Sequence, residues 1–117
     1  MKLIHVLHSF VLAGALLSVP FDTANAAITD PTIKQAEVVL GYIEQQHWEP
    51  ALEHAKKLKN TFLSNQWKYQ FIGDEAEYEG VKRNIDKLRA AVKEQDSSES
   101  KVLIAEIVSV IEEIYTF

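Results

Sequence analysis

Glu44-Gln45-Gln46-His47 has the Glu-x-x-His spacing with which di-iron helical bundles project two ligands inward from one helix. That chemistry needs a second such motif and further glutamates on facing helices. His54, the other histidine beyond the first 26 residues, has Ala51 three positions before it, so no second motif exists. Glu44, His47 and His54 remain as the metal candidates. His47 and His54 lie seven residues apart across Pro50 and cannot chelate one ion from a straight helix. The expectation is therefore no metal and no cofactor, with a metal- or cofactor-binding bundle as the alternative.

Other chemistries fall away with composition. The 117-residue chain has no cysteine, hence no disulfide, no thiolate nucleophile and no covalent haem attachment, and its one methionine is Met1. Ser64, Ser97, Ser98, Ser100 and Ser109 have no histidine near them in sequence and no nucleophile elbow around them. Glu75 and Glu79 begin a helix, where carboxylates complement the dipole. No enzyme is expected. With 17 acidic against 12 basic residues the chain carries a formal charge of -5, the wrong sign for nucleic acid or an anionic membrane surface. Any protein partner is expected to be cationic.

The most distinctive side chains are aromatic: Trp48, Trp67, Tyr69 and Phe71. They suit a partner-binding groove, since tryptophan and tyrosine are enriched at hot spots, or else a plug for one end of a small core. Ile107, on a broad aliphatic face of the last helical segment, joins them as a partner-binding candidate.

These side chains must be held by helices, preceded by an export segment. Met1-Lys2 is a basic start, Leu3 to Val19 is almost wholly apolar, and Ala24-Asn25-Ala26-Ala27 places small residues where a signal peptidase reads them. Cleavage after Ala26 is expected, giving an exported, periplasmic or extracellular protein without stable membrane insertion. The alternative is an N-terminal membrane anchor, against which the apolar run is short of the roughly 20 residues a span needs. Removing residues 1–26 takes Lys2 and Asp22 together, so the charge stays at -5.

Asp30-Pro31 is an N-cap followed by proline at the first helical position, and Ile33, Ala36, Leu40, Ile43 and His47 form one stripe, predicting a helix over about 31–47. Pro50 forces a corner at 47–49. A second helix over about 50–71 carries Ala51, Ala55, Leu58 and Phe62, and the alternation of Trp67, Tyr69 and Phe71 with Lys68 and Gln70 reads as a fraying helix end closed by Gly73. Tyr78, Val81, Ile85, Leu88 and Val92 mark a third helix over about 74–95, with Asp86 and Arg89 as an intrahelical pair. Ile104, Ile107, Ile111 and Ile114 mark a fourth over about 98–115.

The order of Ile43 and Trp48, then Ala51, Leu58 and Trp67, then Asp74-Glu75 leading into Tyr78, Val81, Ile85 and Leu88, then Asp96 and an aliphatic last helix, resembles a group of small bacterial helical proteins known as domain of unknown function 4363. The resemblance spans roughly residues 33–115. It implies a helical fold and export, and it brings no activity with it.

The expected protein is all-α: a signal peptide at 1–26, then an antiparallel up-and-down four-helix bundle over 27–117. Its expected role is a non-enzymatic protein-interaction or chaperone-like module of the cell envelope, as monomer or homodimer.

Overall fold

The computed structural model describes residues 23–116. Six helices, and no strand, occur among them: α1 Thr23–Ile28, α2 Pro31–Glu44, α3 Trp48–Ser64, α4 Gln66–Ile72, α5 Glu75–Lys93 and α6 Ser97–Ile114. Most of the expected export segment lies outside the described residues. Its expected cleavage point after Ala26 falls within α1.

Three of the long helices start on an aspartate cap. The Asp30 carboxylate accepts from the backbone N–H of Thr32 and Ile33 at 2.8 and 3.0 Å, with Pro31 filling the position where no N–H is needed. Asp74 and Glu77 make a reciprocal capping box: Glu77 N–H donates to Asp74 at 2.7 Å and Asp74 N–H to the Glu77 carboxylate at 3.0 Å. Asp96 accepts from Glu99 N–H at 3.0 Å.

The two corners α2–α3 and α5–α6 are built alike. Gln46 and Gln95 have φ of 59° and 58°. Each donates its N–H to a carbonyl three residues back, Ile43 or Val92, at 2.9 Å. The following residues, His47 and Asp96, donate to Tyr42 and Ala91 at the same distance, which completes a Schellman turn at each corner. The first helix therefore stops at Glu44, three residues short of the expected 47, because the chain turns left-handed at Gln46. α3 then begins at Trp48 rather than Pro50. Proline is tolerated there because the first four N–H groups of a helix have no partner within it.

The expected second helix is interrupted. Asn65 donates its backbone N–H to Phe62 and its side-chain amide to the Thr61 carbonyl at 2.8 Å, ending α3 and letting α4 leave as a separate two-turn helix. What reads in sequence as a fraying end is a distinct element.

Packing follows chain order: α2 lies on α3 and α6, and α5 lies on α3 and α6. Val39, Ile43, Leu58, Ile85, Leu88, Ile107 and Ile111 are buried between them. Each such side chain contributes about 1.5–3 kcal/mol when fully removed from water. Phe62 stacks between Tyr69 and Tyr78, with ring centroids 5.2 and 5.1 Å away. This column brings the end of α3, the middle of α4 and the start of α5 together. Gly73 belongs to the same end: a Cβ there would sit 3.0 Å from Ile114 Cγ1 and 3.1 Å from the Tyr69 carbonyl oxygen. The two Gln corners therefore lie at the opposite end. Between the ends Lys59 pairs with Asp86 at 2.6 Å, so Asp86 bridges α5 to α3 instead of pairing along its own helix with Arg89.

Candidate functional site

α4 has only seven residues and too few turns to be stable alone, so its neighbours must fix it. Tyr69 points inward and is fully buried, while Trp67 and Phe71 are 68% and 85% exposed. Spaced four apart, those two rings share one side of the helix, with Cβ atoms about 5–6 Å apart.

Beneath them is a buried polar knot centred on Asp30, which is 1% exposed. The Tyr69 hydroxyl lies 2.9 and 2.7 Å from its two carboxylate oxygens, and the Tyr115 hydroxyl donates to Oδ2 at 2.6 Å. Tyr69 has one proton to give and the carboxylate can only accept, so that proton faces Asp30. The 2.8 Å bond between the Tyr69 and Thr32 hydroxyls is then donated by Thr32. Lys68 Nζ stands 3.8 Å from Asp30 Oδ2, over the rings of Tyr69 and Tyr115 at 5.6 and 5.7 Å from their centroids. One carboxylate thus joins the start of α2, the middle of α4 and the residue that follows α6.

Burial raises the Tyr69 pKa far above the ordinary tyrosine value, and the Asp30 charge adds to the rise against an opposing hydrogen bond from Thr32. Burial likewise raises Tyr115, helped by its hydrogen bond to Asp30 and then by that residue's charge. The knot holds both phenol protons rather than releasing them. Two backbone N–H groups and two phenols meet the four lone-pair positions of the carboxylate. That chemistry suits a clamp, because a saturated carboxylate has nothing to offer a substrate.

The other sequence candidates scatter. Trp48 starts α3 at the opposite end, half-buried against the core, and so does not join Trp67 and Phe71. Ile107 is fully buried: the stripe it belongs to faces inward, and it is core rather than partner surface. The isoleucine stripe of α6 closes on α2 and α5, while Val102 on the same helix is left exposed.

Glu44 and His47 are exposed at the α2–α3 corner. His54 is half-buried on α3, stacked on Tyr42 at 5.1 Å, and the Gln35 amide donates to its Nδ1 at 3.0 Å. No group of three or more histidine, aspartate or glutamate side chains arranged to hold a metal occurs among the described residues.

Sequence reasoning found Asp30 as a cap but missed the knot. Thr32, Tyr69 and Tyr115 are 2, 39 and 85 residues from Asp30, and no periodicity links such positions. The aspartate cap beside two inward tyrosines was the available signal, and it is visible only once the ends of the helices are placed.

The sequence profile of a family described as Domain of unknown function (DUF4363) matches residues 24–116. The chain belongs to this family. The match runs from α1 through the residue after Tyr115, so every member of the knot lies within the DUF4363 region. No curated protein and no solved structure matches the chain. No helix among the described residues is long and apolar enough to cross a membrane.

Proposed function

We propose that this DUF4363 protein is a non-enzymatic binding module of the cell envelope, an up-and-down four-helix bundle that offers Trp67 and Phe71 to a protein partner. The reading rests on one observation: the two most exposed large apolar side chains of the described fold sit on a short helix whose other side is fixed by a buried carboxylate. Exposed aromatics normally cost solubility, and a rigid mount lowers the entropy lost when such rings bind. The export pattern of residues 1–26 supports an envelope location, and the packing of each long helix on its chain neighbour supports the bundle.

The test is crosslinking capture from the envelope fraction of the native host, comparing wild type with the Trp67→Ala/Phe71→Ala double variant. Both side chains are exposed, so the variant retains its helical circular dichroism. Loss of a specific crosslinked partner is expected. An unchanged set of partners would reject α4 as the binding surface.

A further inference from the structure

From the middle of the molecule toward the end away from α4, a groove of about 460 Å³ runs between α3 and α5, lined by Leu52, Lys56, Asp86, Arg89, Ala90 and Lys93. Its only acid, Asp86, is held by Lys59 at 2.6 Å. Lys56, Arg89 and Lys93 make no ion pair among the described residues. In a chain of net charge -5, three cations left without an acid around one groove go against the overall charge balance. Lys93 stands in the last turn of α5, where the helix dipole favours a cation. That explanation does not extend to Lys56 or Arg89.

From this we infer that the α3–α5 groove binds an acidic segment of a partner protein in which carboxylates stand beside apolar side chains. Arg89 supplies the planar fork that takes a carboxylate through two parallel hydrogen bonds. Lys56 and Lys93 add positive charge from either wall. Leu52 and Ala90 give the apolar floor that distinguishes such a segment from a bare anion, since a simple anion gains nothing from burying hydrocarbon. The site is independent of the α4 aromatics and stands whether or not those bind a partner. It also reverses, locally, the expectation of a cationic partner drawn from net charge.

Isothermal titration of the protein tests this with three probes: a nine-residue peptide alternating glutamate and leucine, an all-glutamate peptide with the same number of acids, and inorganic phosphate. The alternating peptide is expected to bind most tightly and to weaken as salt rises. The Arg89→Glu/Lys93→Glu variant should bind it at least about tenfold more weakly, as expected when paired charges are reversed. Lys101→Glu, on α6, should leave binding unchanged.

Arg89 and Lys93 are exposed, so circular dichroism should stay near wild type, while the acid placed in the last turn of α5 lowers the urea midpoint slightly. The neutral Lys56→Gln/Arg89→Gln variant gives a second reading free of added acid, and it too should bind more weakly. No binding by wild type, binding by both groove variants as tight as that of wild type, or displacement of the peptide by phosphate at equal concentration would each overturn the proposal.

Discussion

The two ends of the molecule solve the same problem with different materials. At one end, α2 turns into α3 and α5 into α6 through paired Schellman turns made wholly of backbone hydrogen bonds, with a glutamine at each left-handed position. At the other end, α2, α4 and α6 are joined by side chains converging on Asp30, with Gly73 wedged beside them. A backbone corner repeats because it depends little on residue type, and it tolerates substitution for the same reason. The knot is assembled once from particular residues, and none of them can be exchanged without leaving another unsatisfied.

The sharpest test of that contrast is Asp30→Ala. It orphans two phenols and two cap N–H groups and leaves Lys68 without its counter-ion, so a loss of about 3–5 kcal/mol is expected in urea denaturation. Asp30→Asn, which keeps the cap and an acceptor, should fall between this variant and wild type. A loss below about 1 kcal/mol for the alanine variant would mean the knot is ornamental.

Gly73→Ala probes the same end by volume. The added methyl would meet Ile114 and the Tyr69 carbonyl at 3.0 and 3.1 Å, and about 1–3 kcal/mol should be lost, again read from urea denaturation. At the corner end the sign should reverse. Gln46→Gly and Gln95→Gly each relieve a side chain held in the left-handed region, which costs about 1–2 kcal/mol, while glycine loses more backbone freedom on folding. A net gain of up to about 1 kcal/mol at each corner, seen as a higher melting temperature, is the expected result.

The smallest effect lies on the rim near the knot. Burial, and then the charge of Glu112, raise the Glu37 pKa above the usual glutamate range, against a lowering by Lys34. A carboxyl whose folded pKa is raised favours the fold below its unfolded pKa, and that contribution disappears as pH rises through the folded value. Charged Glu37 is thus a cost at neutral pH. Glu112→Gln should raise stability there by a few tenths of a kcal/mol, the scale of exposed charge pairs, with no gain near pH 4 in paired urea titrations.

Periodicity made the helical class legible, because Val81, Ile85, Leu88 and Val92 repeat at helical spacing and all are buried. The cap at Asp30 was local enough to read as well. Boundaries were not, since a glutamine at φ near 60° carries no glycine to announce it. Alternation of Trp67, Tyr69 and Phe71 was visible, but its meaning depended on which ring met Asp30, a residue in another helix's cap. Ile107 could be core or surface until α6 was packed against its neighbours.

The hydrogen bond from Tyr115 to Asp30 spans 85 residues. On the ribosome, residue 30 is made long before residue 115, and during that interval its carboxylate can cap α2 but cannot be enclosed. Closure of this end is therefore a late event, because it needs two residues that far apart in the chain to meet. Until it happens, the mount for Trp67 and Phe71 does not exist.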